Sequence, residues 1–228
     1  MSQEEKFLYN IANLNPEPVG IFTLPNHKHL KYKKSIGKII KEVPPELIQK
    51  FDAEKLTYHI CNKYDQNIFK QFQILSELKK DLKSILLTYI KKIGYLCDEM
   101  IIHDAWINNS SKKSTLNFHY HTNSFLSGNY FINFDNKNHT PLTFINDRLS
   151  NVNCPSISVP LNTNDPTIYN QKIISMPVKE GQILIWRSQL SHGYMKPNNQ
   201  DERITLSFNS MPKKCMNSTG KYAFEVVE

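Results

Sequence analysis

The chain has 228 residues, enough for one large domain with a real core, and no window is apolar for long enough to span a membrane. Its 39% hydrophobic and 11% aromatic residues exclude a disordered chain. The net charge of +7 comes mostly from lysines scattered along the sequence, as an AT-rich genome would produce, so nucleic acid is not the expected partner.

The four cysteines are Cys61, Cys97, Cys154 and Cys215, and they form no close pair. Such wide spacing argues against a disulfide framework and a zinc site, and it predicts reduced thiols. The N-terminal segment "MSQEEKFLYN" has no signal-peptide pattern. We therefore expect a cytoplasmic protein.

Residues 1–98 are predicted to form a mainly helical brace with some strands. Short helices are predicted for "EEKFLYNIA" and "PPELIQKF", and strands for "VGIFTL" and "LTYHI". His27 and His29 lie in "PNHKHLKYKK" among lysines that would repel a cation, so both are expected on the surface.

The clearest helix is predicted for "SELKKDLKSILLTYIKKIGY", in which apolar residues recur at helical spacing with lysines opposite. Ser76 is the expected N-cap and Gly94 the expected C-terminal stop. An apolar stripe of this kind predicts that the helix covers a sheet.

From residue 99 onward the pattern changes to short strands separated by turn-rich loops, the longest at 146–169. Strands are predicted for "EMIIHDAWIN", "TLNFHYH", "FLSGNYFINF", "PLTFIN", "QKIISM", "QILIW" and "RITLSFN". The fold class is therefore α+β, a jelly roll braced by N-terminal helices. Residues 99–212 are the predicted core and 213–228 a C-terminal extension of the same single domain.

The segment "NFHYHTNSFLSGNYF" contains two histidines, His119 and His121, at the spacing that places side chains on one face of a strand. Two such histidines are candidate ligands of one metal ion. His192, in "GQILIWRSQLSHGY", is the candidate third.

Arg203 opens the strand "RITLSFN", with Thr205 on the same face. An arginine fork beside a hydroxyl is suited to binding a carboxylate at two points. Tyr130, in "FLSGNYFINF", is a further candidate hydroxyl for an acid in the pocket, and a core position is the competing interpretation.

These motifs, spanning roughly residues 99–212, resemble the iron(II)- and 2-oxoglutarate-dependent oxygenases, and more narrowly a branch seen in marine bacteria and their phages. The matching segments are Trp106 with Asn108, His119 with His121, "SGNYF", "GQILIWRSQLSHGY" and "RITLSFN". The resemblance implies a double-stranded β-helix, Fe(II) on His119 and His192, and Arg203 on the distal carboxylate of 2-oxoglutarate. Thr205 and Tyr130 then supply hydroxyls, and the implied activity is that of a dioxygenase, a hydroxylase that uses dioxygen.

One position departs from that family, because the carboxylate usually found two residues after the first histidine is replaced by His121. His121 is a third ligand, or it is displaced and replaced by water or an anion, or a remote carboxylate such as Asp104 or Asp135 completes the site. A three-histidine site would carry one more positive charge, and it would hold the ferrous ion less tightly without cosubstrate.

The alternative function is a cupin-like metal-binding barrel without oxygenase activity. It is disfavoured because the glutamate expected after H-x-H is missing and Arg203 would have no role. The substrate stays open between a peptide, an amino acid and another small molecule, with Asn117, Asn123 and Trp186 as candidate contacts. Oligomeric state also stays open, a homodimer included.

Overall fold

A computed structural model describes residues 17–50, 56–145, 173–216 and 223–227, together with residues 164, 165, 167 and 171. Predictions for "EEKFLYNIA", Cys154 and most of the 146–169 loop lie outside these residues. Within them, no helix has the length and apolar character needed to cross a bilayer. Cys61, Cys97 and Cys215 are free thiols.

Two antiparallel sheets build the jelly roll. The larger has seven strands in the order β1-β9-β6-β11-β4-β3-β2 and the smaller has four in the order β5-β10-β7-β8. The larger sheet contains Gly20–Thr23 (β1), Ile48–Lys50 (β2), Thr57–Ile60 (β3), Met100–Ser110 (β4), Leu126–Asn133 (β6), Gln182–Arg187 (β9) and Arg203–Pro212 (β11). The smaller contains Leu116–His119 (β5), Thr143–Ile145 (β7), Ile173–Ser175 (β8) and His192–Tyr194 (β10). Lys214–Met216 (β12) and Ala223–Glu225 (β13) form a separate hairpin.

The helices pack on the outer face of the larger sheet. They are Asn26–Glu42 (α1), Ile68–Gln71 (α2) and Ser76–Lys92 (α3), with short 3-10 turns at Pro45–Leu47 and Gln73–Leu75. Their apolar stripes form the main core with the outward side chains of β4, β6, β9 and β11. A second, smaller apolar cluster, which includes Phe144 and Trp186, involves strands of both sheets. The α+β fold class and the brace of helices on a jelly roll are confirmed.

Alternation along β11 separates two environments. Leu206 and Phe208 face the helices, where a Cβ on Gly128 would lie only 2.2 Å from the Phe208 ring. Arg203, Thr205, Ser207 and Asn209 face the opposite way, into a cavity. The inner face of the larger sheet is therefore polar because it lines a pocket, although it lies inside the fold.

Three local predictions are wrong. His29 is buried in α1, because it hydrogen-bonds to Tyr130 and Glu180, and only His27 is exposed. Ser76 is the first residue of α3 and does not cap it. The segment "PPELIQKF" forms a single 3-10 turn followed by β2, since Ile48, Gln49 and Lys50 pair with β3. Gly94 does follow the end of α3 with a left-handed φ of 93°.

Candidate metal centre

Three histidines converge at the cavity: His119 at the end of β5, His121 just beyond it, and His192 of the neighbouring strand β10. One nitrogen from each of His119, His121 and His192 lies within 4.8 Å of the others. Their ring centroids are 4.4 to 5.3 Å apart. Among the histidine, cysteine and acidic side chains that the structure describes, these three lie close enough together to bind one metal ion.

His119 and His192 are held in the tautomer that a metal ligand needs. Nδ1 of His119 donates to the carbonyl of Asn117 at 2.8 Å, and Nδ1 of His192 donates to the carbonyl of Leu190 at 2.9 Å. In each ring the proton on Nδ1 leaves Nε2 with its lone pair available. Both nitrogens are therefore set as ligands before any metal binds.

His121 is held differently. Its backbone N–H donates to the Ser188 carbonyl at 2.9 Å, which fixes the residue just after β5. Its Nδ1 lies 3.5 Å from the amide nitrogen of Asn209, at the limit of a hydrogen bond. No backbone carbonyl among the described residues is within hydrogen-bonding distance of its ring, in contrast to the other two histidines.

Burial keeps two of these imidazoles neutral. Desolvation, with the nearby His119, lowers the pKa of His192 from 6.5 to about 3. The same two causes lower the pKa of His121 to about 4, against a raising effect from Asp104. Neutral imidazole is the form that binds a metal, so protons do not compete for these two rings at neutral pH.

Arg203 lies in the same cavity and is only 2% exposed. Its Nε donates to the Thr140 carbonyl at 3.1 Å, and its guanidinium carbon lies 4.5 Å from the centre of the Tyr194 ring. Burial lowers its pKa. Across the described part of the chain, Nη2 has no hydrogen-bond partner and no carboxylate pairs with the guanidinium. A buried, unpaired guanidinium is unfavourable unless an anion binds to it.

Trp106 and Asn108 stand two residues apart in β4, a spacing that allows their side chains to hydrogen-bond to each other. Nε1 of Trp106 donates to Oδ1 of Asn108 at 3.0 Å, which fixes the orientation of the amide. Nδ2 of Asn108 then donates to the hydroxyls of Thr205 at 3.2 Å and Ser207 at 2.9 Å. Because Thr205 accepts from Asn108, its own proton is available to an acceptor in the cavity.

Tyr130 is not in the cavity, and its predicted contact with the cosubstrate is wrong. It belongs to the face of β6 that packs on the helices, where its hydroxyl bonds to Nδ1 of His29 at 2.7 Å. Burial raises its pKa. Tyr194 of β10 lies beside Arg203 instead, and the sequence analysis missed it. Tyr194 belongs to the three-residue strand β10, which the sequence does not predict, so no sequence pattern marks it as a cavity residue.

The other predicted residues occupy different places. Asn117 acts through its backbone carbonyl and is exposed, whereas the side chain of Asn123 lines the cavity. Trp186 also lines it, but it is 2% exposed and packs against His192 with ring centroids 4.8 Å apart. Asp104 lines the cavity outside the histidine group, and Asp135 is exposed in a loop.

The cavity has a volume of about 290 Å³ and extends from Arg203, past the histidines, to the N-terminal strands. Gln49 of β2 and Thr57 and His59 of β3 form its far wall. The Trp106 ring lies between His59 of that wall and His121 of the histidine group, with ring centroids 6.0 and 6.3 Å away. The space is sufficient for a cosubstrate and part of a second molecule.

A family model described as "Putative 2OG-Fe(II) oxygenase" matches residues 104–209. No curated protein matches the sequence. The fold is similar to SnoN, a non-heme alpha-ketoglutarate-dependent epimerase of nogalamycin biosynthesis, with a TM-score of 0.63, 10% identity, and coverage of 87% of this chain and 77% of that one.

Two further structures are similar. HygX from Streptomyces hygroscopicus, solved with nickel, 2-oxoglutarate and hygromycin B, has a TM-score of 0.56, 10% identity, and coverage of 86% of this chain and 83% of that one. A prolyl-4-hydroxylase from Pseudomonas putida has a TM-score of 0.54, 9% identity, and coverage of 85% and 92%. The match over residues 104–209 and these three similar folds together support the superfamily of iron(II)- and 2-oxoglutarate-dependent oxygenases.

Proposed function

We propose that the protein is a dioxygenase that couples oxidation of 2-oxoglutarate to hydroxylation of a small molecule or peptide. His119, His121 and His192 would hold Fe(II), and Arg203 and Thr205 would bind the distal carboxylate of 2-oxoglutarate. The observation that carries the proposal is the unpaired Nη2 of buried Arg203 in the same cavity as the three histidines.

The donor set fits a ferrous ion. Three neutral imidazoles occupy at most one face of an octahedron, which leaves positions for a chelating 2-oxo acid and dioxygen. When bound, iron and 2-oxoglutarate together supply the activation of dioxygen. The anchored Nδ1 atoms of His119 and His192 keep both rings oriented, so the two strands supply a rigid ligand pair.

The groups around Arg203 orient the cosubstrate. The Tyr194 ring covers one part of the guanidinium, and the Thr140 carbonyl accepts a hydrogen bond from Nε, so Nη2 is the group left for an anion. Thr205 donates its hydroxyl proton to the same carboxylate, because Asn108 already fills its acceptor site. The buried surroundings strengthen both contacts by excluding water.

Anaerobic titration with Fe(II) and 2-oxoglutarate tests the proposal. We expect a weak visible charge-transfer band that requires both components, followed by succinate formation when dioxygen is admitted. Absence of the band in the wild-type protein would contradict the proposal. A cupin-like metal barrel would bind Fe(II) with no dependence on 2-oxoglutarate, and it would give Arg203 no ligand.

We also propose a cytoplasmic location, supported by the three free thiols among the described residues. The reaction product is tested separately, by mass spectrometry of candidate substrates for a gain of one oxygen atom.

A further inference from the structure

Asp104 lies beside His121 and is joined to it through one amide group. Nδ2 of Asn209 is 3.4 Å from Oδ2 of Asp104 and 3.5 Å from Nδ1 of His121. Among the described residues that line the cavity, Asp104 is the one with an acidic side chain. The acidic side chain that lines the cavity thus shares a contact, through Asn209, with the residue that replaces a carboxylate ligand in this chain.

The orientation of the Asn209 amide is fixed by its other end. Oδ1 accepts a hydrogen bond from the Ser127 hydroxyl at 2.8 Å, and Ser127 lies 2.9 Å from the Ser188 hydroxyl. Because Oδ1 is engaged there, Nδ2 must face Asp104 and His121. The Nδ1 side of the His121 ring therefore faces the Asn209 amide nitrogen, which also contacts the Asp104 carboxylate.

Asp104 is charged at neutral pH. Burial alone would raise its pKa, but hydrogen bonds from His103 and Asn209 outweigh that effect and lower the pKa below its usual value. Nδ1 of His103 lies 3.2 Å from Oδ2, and its Nε2 is held by the Ser124 hydroxyl at 3.2 Å. The carboxylate is therefore held in place from two sides.

We propose that Asp104 is a positioning residue that supplies, from outside the coordination sphere, the negative charge that a carboxylate ligand would otherwise provide. This inference rests on the proposed function. Three neutral imidazoles leave the charge of Fe(II) uncompensated by its ligands, and the Asp104 charge offsets part of it.

The isosteric variant Asp104→Asn tests the inference by two readouts under anaerobic conditions. We expect the Fe(II) concentration for half-saturation to rise by about 10- to 100-fold, the usual effect of removing a partner of a metal ligand. With 2-oxoglutarate bound, the charge-transfer band should move to shorter wavelength, because the iron then holds its electrons more tightly. Asp135→Asn, at an exposed aspartate outside the cavity, is the matched control.

Moving the negative charge from residue 104 to residue 121 distinguishes this electrostatic role from a purely structural one. In the His121→Asp background the carboxylate becomes a ligand, so adding Asp104→Asn should leave Fe(II) affinity unchanged or improve it. An equal loss in both backgrounds, or an unchanged band and half-saturation in Asp104→Asn alone, would overturn the inference. A wild-type protein without the band contradicts the proposed function itself, and this inference falls with it.

Discussion

His119 and His192 are direct partners in the antiparallel pairing of β5 with β10, and their ring centroids are 4.4 Å apart. The separation of two candidate ligands is therefore set by a backbone ladder. Gly193, the next residue, packs closely against the backbone of β5. A Cβ there would lie 2.6 Å from the Leu116 carbonyl oxygen and 3.0 Å from the Asn117 backbone.

Gly193→Ala should therefore weaken metal binding by about tenfold or more, because the added methyl group pushes β10 away from β5 and disturbs the ligand pair. Fe(II) titration by fluorescence quenching measures this. Gly37→Ala is the control, since a Cβ there meets nothing within 4 Å and its helical position predicts a gain of about 0.5–1 kcal/mol. Equal iron affinity in both variants would contradict the prediction.

Arg203→Ala should raise the 2-oxoglutarate concentration needed for the charge-transfer band by about 100-fold or more, since two charge-assisted hydrogen bonds are worth about 3 kcal/mol. Arg187→Ala should not change it, because Arg187 bonds to the Tyr95 hydroxyl outside the cavity. An equal response of the two variants would remove Arg203 from the cosubstrate site.

Tyr130→Phe and Thr205→Val test which face of the larger sheet packs on the helices and which lines the cavity. Tyr130→Phe loses the bond to His29 and should lower the free energy of unfolding by about 1–2 kcal/mol with no change in 2-oxoglutarate binding. Thr205→Val should weaken 2-oxoglutarate binding by about fivefold to tenfold, the effect of one lost hydrogen bond. Chemical denaturation and anaerobic titration of both variants check the pair, and the reverse pattern would invert the face assignment.

His121→Asp should retain iron, since a carboxylate is a competent ligand at that position. His121→Ala should lose iron affinity by more than the roughly 10- to 100-fold expected for an outer partner. Equilibrium dialysis against Fe(II) without oxygen measures both. Full affinity in His121→Ala would show that residue 121 is not a ligand and that two histidines suffice.

Acidification should destabilise the metal-free protein in a defined window. Above pH 6.5, His121 and His192 are neutral in both folded and unfolded states, so they contribute no pH dependence. Below it the unfolded chain takes up protons that the folded chain cannot, because the folded pKa is about 4 for His121 and about 3 for His192. The melting temperature should therefore fall between pH 6.5 and 4.5, and less steeply in His192→Gln. A flat profile there would contradict the pKa shifts.

The period of two along strands predicted correctly that Arg203 and Thr205 share a face, and this face proved to be the inner one. The same periodicity cannot tell which face of a strand is inside. The prediction that Tyr130 contacts the cosubstrate is wrong for that reason. Leu126 and Ile132, which share its face of β6, are both core residues.

Other features depended on contacts between distant segments. The lysine-rich helix α1 concealed a buried stripe of Tyr32, Ile36 and Ile39, which is defined only by the sheet against which it packs. Likewise, the role inferred for Asp104 depends on Asn209, which is 105 residues away along the chain. No local pattern could connect the two.

The N-terminal strands β2 and β3 line the far wall of the cavity, yet they precede the region that the family model matches, which begins at residue 104. Gln49 donates a hydrogen bond to the Cys61 carbonyl at 3.0 Å, and the His59 ring packs against Trp106. We therefore expect a substitution at Gln49 to change which substrate the cavity accepts, while the three histidines and Arg203, which lie on other strands or beside them, keep their positions.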